Sequence, residues 1–469
     1  MNTKLLKQKI LDLAIRGKLT DQCKSDGTAR ELLEKISASR RIEQSAKSAK
    51  SKDSAPIVPL DKSEAPFEIP DNWEWVKLGD VGKTITGATP SKNHPEYEGD
   101  EIPFLSPGDI SQANTITSYE SQGLSKQGKI LARPVPANTV LQVCIGGSIG
   151  KCAIVDREVC FNQQINSISV LIAKYEYIYA VLQSLYFQNE IILKATGTAT
   201  PIINKSSWDN LLVPLPPLAE QQRIIAKIEE VFAEIDAIEK NKELLKTHIK
   251  QTRQKILDLA IHGKLVPQNK SDEPASVLLE RITRDNPHYE KLTDIPFEIP
   301  DSWEWVKLGD ICKLQSGSTI PQSQECDEGT MMYIKVSDMN LPENLYEIKK
   351  SQRYVNQWKE CQIINANSII FPKRGGAILT NKKRIVREPV LTDLNIMGIT
   401  PIACFDYIYW WFMNIDLGLL NNGSNIPQLN NKDIAPLLLP LPPLAEQKRI
   451  VDRIEEIFAS LDEISLHLV

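Results

Sequence analysis

The chain has 469 residues, 42% of them hydrophobic and 25% charged, and its 55 Lys and Arg against 60 Asp and Glu leave a net charge of −5. That length supplies two or three domains with cores of ordinary size, and the acidity argues against nucleic-acid binding by bulk electrostatics, leaving local patches as the route. No apolar run approaches the roughly 20 residues of a membrane span, and the opening "MNTKLLKQKILDLAIRGKL" mixes charges into its apolar positions, so neither a signal peptide nor an anchor is expected and the expected location is cytoplasmic.

Residues 1–36 form a helical segment in which Thr3, Leu6, Ile10 and Leu13 keep a heptad register up to Gly17. From Ser37 to Glu64 the text "SASRRIEQSAKSAKSKDSAPIVPLDKSE" is rich in Ser, Lys and Ala without apolar periodicity; residues 37–65 read as a flexible tether. A first body, 66–214, opens on "PFEIPDNWEWVKLGD" and holds short β-branched runs such as "NTVLQVCIG" and "INSISVLIA". Such runs, punctuated by Gly, Pro and Asn, predict a mixed α+β domain with a curved sheet. Trp73 and Trp75 lie two apart, on one face of a strand, and read as core packing at the domain entrance.

The central segment 215–265 begins "LPPLAEQQRI" and runs 45 residues, Leu218 to His262, with no Gly or Pro before Gly263. Pro before a first turn and Gly after a last one are helix punctuation. Ile224, Ile228, Val231, Ile235, Ile238, Leu245, Ile249, Ile256 and Leu259 repeat at heptad spacing, broken only at Lys242 and Thr252, which predicts a coiled-coil seam.

Then the text begins again. "QKILDLAIRGKL" from Gln8 returns as "QKILDLAIHGKL" from Gln254, and a connecting helix and linker, 266–295, leads to a second body, 296–440, opened by "PFEIPDSWEWVKLGD". Residues 441–469, starting "LPPLAEQKRI", repeat the helix as far as Val469. The missing half of that second helix is in register at the N-terminus. The central helix is therefore expected to pair antiparallel with a composite of the C- and N-terminal segments, a pseudo-two-fold circular repeat; the alternative is two amphipathic helices, each buried against its own domain.

Chemistry is hard to find. "GGSIGKC" from Gly146 fails as a phosphate loop, since three residues separate Gly146 from Gly150 and Cys152 stands where Ser or Thr should hold a metal. The eight cysteines include no CxxC pair, the five histidines are scattered, and no zinc spacing or catalytic constellation emerges. The cysteines read as reduced, mostly buried thiols.

What remains is paired loops. "TGATPS" at Thr86 faces "SGSTIP" at Ser316, "IPFLSPGDI" faces "MYIKVSDM", and Pro201 and Asn204 align with Pro427 and Asn430. In the second body Lys373, Arg374, Lys382, Lys383, Arg384 and Arg387 crowd together without an acidic residue. Arg and Lys suit phosphates and guanine edges, Asn and Gln adenine.

Two variable bodies, each entered by "IPxxWEWVKLGD" and left by "PLPPLAEQxRI", with "ILDLAIxGKL" closing each helix and "GKLVPQ" at Gly263 ("GKLTDQ" at Gly17 departs by two residues), resemble the specificity subunit of type I restriction–modification systems. The resemblance implies an α+β chain with two target recognition domains separated by an antiparallel helix pair. Each domain would read one half of a bipartite double-stranded DNA target, and the helices would set the spacer. The chain itself would be non-catalytic and hold no cofactor or metal. Two modification (methyltransferase) subunits and restriction/translocase subunits would join it, bringing S-adenosylmethionine, ATP and Mg. Candidate DNA-binding residues are Thr89, Ser91, Lys92, Asn93 and Lys151 in the first body, and Ser318, Gln322, Lys373, Arg374, Lys382, Lys383 and Arg384 in the second. Candidate partner-binding residues are Pro217, Glu220, Gln221 and Arg223, with Pro443, Glu446, Gln447 and Arg449. Outside this family, a peptide-binding scaffold and an enzyme with an unfamiliar site stay open.

Overall fold

A computed structural model describes residues 2–45, 57–60, 62–91, 93–111, 119–197, 199–284, 286, 289, 292, 295–420 and 427–468. The chain divides into two compact units, Met1–Asn241 and Lys242–Val469. No helix among the described residues is long and apolar enough to cross a membrane.

The first unit opens with α1 (Thr3–Ile15) and α2 (Ala29–Ser45). The Asn2 side chain caps α1 by accepting from the Leu5 amide at 3.0 Å. Helix α2 runs on to Ser45, so the segment read as a tether from residue 37 begins inside a helix, where Ile36 is fully buried and anchors it. Next come β1 (Glu74–Lys77), β2 (Gly82–Thr86), β3 (Glu98–Leu105), β4 (Gly123–Leu124), α3 (Lys126–Ala132), β5 (Thr139–Val143), β6 (Cys152–Val155), β7 (Cys160–Phe161) and β8 (Ile165–Val170). Helices α4 (Tyr175–Gln183), α5 (Leu185–Lys194) and α6 (Lys205–Asp209) and strand β9 (Leu212–Leu215) complete the body, and α7 (Leu218–Ile261) leaves it. The sheet is antiparallel in the order β2-β8-β5-β6, a smaller one runs β4-β3-β7, and β1 pairs β9 alone. Central β5 is buried at all five residues, as a strand covered on both faces must be; its two polar members are paired, Thr139 with Ser169 and Gln142 with Gly150 and Trp208.

The second unit repeats the plan: α8 (Ala275–Thr283), β10 (Glu304–Lys307), α9 (Leu308–Ile311), β11 (Cys312–Ser316), β12 (Met331–Ile334), β13 (Tyr354–Val355), β14 (Ile363–Ile364), β15 (Ser368–Pro372), β16 (Arg384–Val386), β17 (Val390–Thr392), β18 (Ile396–Pro401), α10 (Phe405–Met413), α11 (Asn431–Ile434), β19 (Leu438–Leu441) and α12 (Leu444–Leu466). Its sheets run β11-β18-β15-β16 and β13-β12-β17-β14, with β10 paired to β19. Four cysteines, Cys144, Cys152, Cys160 and Cys312, are buried, and Cys361 is exposed.

In each unit the three repeated phrases meet at one neck. Strands β1 and β9 pair Glu74 with Leu215 through Lys77 with Leu212, and β10 and β19 pair Glu304 with Leu441 through Lys307 with Leu438. Trp73, just before β1, is fully buried and donates its indole N–H to Glu220 Oε2 at 2.8 Å; Trp303 does the same to Glu446 at 3.0 Å. Burying an indole of roughly 200 Å² at ~25 cal/mol per Å² contributes on the order of 5 kcal/mol. Gly17, at φ +65°, lies under Trp73 and Pro70: an added Cβ would stand 2.4 Å from Pro70 Cγ, and at Gly263, φ +66°, 2.5 Å from Pro300 Cγ. Only glycine accepts that φ and that approach together. The single difference between the long phrases, Asn72 against Ser302, falls where the backbone carbonyl receives the first amide of a preceding helix, Ala29 of α2 at 2.8 Å or Ala275 of α8 at 2.9 Å.

Helix α7 is 44 residues long, about 66 Å at 1.5 Å per residue. In the first unit α1 runs antiparallel to its N-terminal half, Lys7 meeting Asp236 and Thr3 meeting Glu239, while Gln22 meets Glu220. In the second unit α12 runs antiparallel to its C-terminal half, Arg253 meeting Asp462 at 2.5 Å and Gln268 meeting Glu446. The seam departs from strict heptads. Ile224, Ile228, Ile235 and Ile249 are buried, whereas Ile238 is 49% and Leu245 39% exposed, and the stripe then continues through Leu257 and Ala260 instead of Ile256 and Leu259. A straight helix drifts about 20° per heptad from a 3.5-residue repeat; the antiparallel pairing expected of the central helix with the terminal segments is present, and each end of its stripe packs into the core of its own unit.

Candidate nucleic-acid interface

Both bodies gather the same loops at the same end of the larger sheet. In the first, the turn after β2 is fastened to the β7–β8 connection by Gly87 N to Ile165 O at 3.1 Å and Ala88 N to Phe161 O at 3.0 Å. The glycine loop after β5 joins them, Cys144 N donating to Gln164 O at 2.8 Å, and reaches the segment before α6 through Gly146 N to Pro201 O and Ile203 N to Cys144 O, both 3.0 Å. The second body repeats every bond: Gly317 N to Ile396 O at 2.9 Å, Ser318 N to Thr392 O at 2.9 Å, Lys373 N to Asn395 O at 2.8 Å, Gly375 N to Pro427 O at 2.8 Å and Leu429 N to Lys373 O at 2.9 Å. A Cβ at Gly87 or Gly317 would stand 2.2 Å or 2.0 Å from a carbonyl oxygen, so the turns can dock this closely only as glycine. Backbone is shared; side chains are not.

On this frame Thr89 is exposed and donates to Gln163 Oε1 at 2.5 Å, Ser91 and Asn93 are exposed beside it, and Lys151 is half-buried at the end of the glycine loop. Lys92 lies outside the described residues. In the second body Gln322 and Arg374 are exposed, and Ser318 and Lys382 half-buried, Lys382 donating to Asn340.

The rest of the basic run turns inward. Lys373 donates to Ser316 Oγ at 2.7 Å and Arg384 to the carbonyls of Lys383 and Met339 at 2.8 and 3.0 Å. Lys383, 1% exposed, donates to Ile415 O at 2.5 Å and Asn381 Oδ1 at 3.0 Å, above the Phe412 ring. Burial pushes its ammonium down to about 7, with Asp416 opposing the shift, and lowers Lys373 and Arg384 too. These three side chains, named among the DNA-binding candidates, are thus buried and paired inside the body. Partners from three separate segments, Ser316, Ile415 and Met339, hold Lys373, Lys383 and Arg384 there, which a count of charges cannot show.

The residues expected to dock partners are likewise mostly neck residues. Pro217, Glu220, Gln221, Pro443, Glu446 and Gln447 are buried. Glu220 also accepts from Gln22 and Glu446 from Gln268, while Gln221 Nε2 donates to Pro216 O at 2.9 Å and Gln447 Nε2 to Pro442 O at 2.8 Å. Burial raises both glutamates above the usual carboxylate range, against the lowering by their Trp and Gln donors. Arg223 grips Asp26 through Nη1 at 2.9 Å and Nη2 at 2.5 Å, and Arg449 holds Asp272 at 2.7 Å. Arg223 and Arg449 keep about a third of their side chains exposed. The aspartates were missed, although "KSD" from Lys24 and again from Lys270 repeats with the rest. Gln163, which accepts from Thr89, and Gln428, bridged to Arg374, stand on the same loops and were not among the candidates; Gln and Asn within the connecting turns were the available signal. Among the described residues, no three His, Cys, Asp or Glu side chains gather as a metal site.

The model of the type I restriction modification DNA specificity domain matches residues 70–247 and again 300–466. The chain is 25% identical to the specificity subunit of the type I restriction enzyme EcoAI of Escherichia coli, over 98% of this chain and 90% of that one. It is 23% identical to the MjaVIII specificity subunit of Methanocaldococcus jannaschii, over 83% and 87%. Its fold is similar to the crystal structure of an HsdS subunit from Thermoanaerobacter tengcongensis, with TM-score 0.57 at 17% identity over 87% of this chain and 94% of that one. A chain solved for the assembly and conformational transition of the type I R-M system gives TM-score 0.61 at 18% identity, over 86% and 94%. With its two bodies each matched by one copy of that domain, the chain belongs to the type I restriction modification DNA specificity family.

Proposed function

We propose that the chain is the sequence-reading subunit of a type I restriction–modification complex, and that each body reads one half of a bipartite DNA target. The observation that carries this is the doubled loop frame: identical backbone bonds present different side chains, which is how one scaffold serves two different half-sites. Thr89, Ser91, Lys92, Asn93, Lys151 and Gln163 serve the first half-site, and Ser318, Gln322, Arg374, Lys382 and Gln428 the second. The helices set the spacer. Half-sites one turn apart are separated by about 34 Å, within the length of α7.

Catalysis belongs to partners in this reading. Two modification subunits bring S-adenosylmethionine and basic surface for phosphate contact, restriction/translocase subunits bring ATP and Mg, and the assembly works in the cytoplasm. The modification subunits meet the outward faces of α7 and α12, with Arg223 and Arg449 as the candidates there that keep part of their side chains exposed. The test is to sequence DNA, by a method that reports methylated bases, from cells expressing this chain with its modification subunit. A two-part motif with a fixed gap, absent when the chain is omitted, is the expected result. An assembled complex that writes no motif overturns it.

A further inference from the structure

The two bodies lock the same turn in different ways. In the second, the phenol of Tyr333 reaches from β12 between two backbone groups: its hydroxyl donates to Ser318 O at 3.3 Å and accepts from Ile320 N–H at 3.3 Å. The residue is 2% exposed. Its strand is fixed in turn, Tyr333 N donating to Arg353 O and its carbonyl accepting from Ser351 Oγ, both at 2.9 Å. Just beyond the turn, Glu325 accepts from Lys335 at 2.7 and 2.8 Å. The segment from Ser316 to Glu325 is thus held at its start by Lys373, in its middle by one hydroxyl and at its end by an ion pair.

The first body occupies the same strand position with Phe104. Phe104 pairs with Cys160 across a parallel ladder as Tyr333 pairs with Leu391, and two residues on, Ser106 N donates to Asp109 at 2.7 Å as Lys335 N donates to Asp338 at 2.8 Å. Phe104 has no hydroxyl. There the turn is tied by Thr89 Oγ1 to Gln163 on the neighbouring loop.

We propose that Tyr333 is a positioning residue for the second recognition surface: its hydroxyl fixes the Ser318–Gln322 segment, so the second half of the target is read stringently only while that clamp is closed, and the first half is read independently of it. The assignment rests on the proposed function; the clamp itself does not.

Tyr333→Phe keeps the ring and deletes only the hydroxyl. On the purified full chain, amide hydrogen exchange at Ile320 is expected to quicken about fivefold, the equivalent of roughly 1 kcal/mol for a lost hydrogen bond, with β12 and β17 amides unchanged. Unchanged exchange at Ile320 overturns the clamp whatever the chain binds. In cells with the modification subunit, the variant is expected to methylate sites altered in the second half of the wild-type motif while keeping the first half strict. Wild-type stringency in both halves from a chain with the loosened turn overturns the specificity role. A wild-type chain that directs no methylation overturns the proposed function and that role together, and the exchange result still decides the clamp.

Discussion

The indole N–H of Trp73 donates to the carboxylate of Glu220 at 2.8 Å, joining two phrases nearly 150 residues apart in a fully buried contact. Removing the acceptor leaves that buried N–H without a partner, so Glu220→Ala is expected to cost on the order of 2 kcal/mol in urea unfolding. Glu220→Gln keeps an acceptor and removes the charge. Because burial raises the carboxyl above its usual range, the folded state holds the proton more tightly than the unfolded one; wild-type stability contributed by this group is full at acid pH and is lost as pH rises through the raised value. Glu220→Gln should therefore compare best with wild type at neutral pH, and its relative standing should fall on acidification. A comparison that does not vary with pH would contradict this.

Gly17 and Gly263 test the neck from the other side. Each combines a left-handed φ with a Cβ position inside van der Waals contact of proline, so alanine at either should destabilise by roughly 1–3 kcal/mol. Thermal unfolding of the two single variants is the measurement. Equal stability to wild type would mean the proline and tryptophan can move aside.

Lys383 offers a pH signature that a surface lysine, which titrates alike folded and unfolded, lacks. Its ammonium is pushed down to about 7 by burial, so between that value and the ordinary lysine range the unfolded chain binds the extra proton and stability rises with pH. Lys383→Met should flatten that rise across roughly pH 7 to 10. A slope retained in the variant would show that the lysine titrates elsewhere.

Salt dependence separates the inward from the outward charges. Arg374→Ala and Lys382→Ala should each reduce the slope of log affinity against log salt by about 1 if each touches one phosphate. Lys383→Met, buried beneath them, should leave the slope as it is. Three equal slopes would remove the outward pair from the interface.

Much of this architecture was legible because it is written twice. The helix punctuation at Pro217 and Gly263, the bodies between the phrases, and the facing of Pro201 with Pro427 all follow from text, and the last recurs as equivalent carbonyls under Gly146 and Gly375. The neck was misread for a physical reason: Glu220 stands in the first turn of a helix, where a carboxylate ordinarily faces water and the dipole, and nothing local says that Trp73 will close over it. The basic run failed likewise, since whether Arg384 faces solvent depends on which side of β16 meets the 339 turn. The lock of the second turn was hidden in the pairing of Phe104 with Tyr333, where a single oxygen separates two otherwise equivalent strand positions.

Each body enters and leaves through one two-stranded ribbon, Glu74 opposite Leu215 and Glu304 opposite Leu441. Topologically each is a cassette whose ends are already together, so its interior can lengthen, shorten or be exchanged whole while the ribbon, tryptophan and glycine beneath it keep their places. Evolution can rewrite what such a chain reads without renegotiating how it is held.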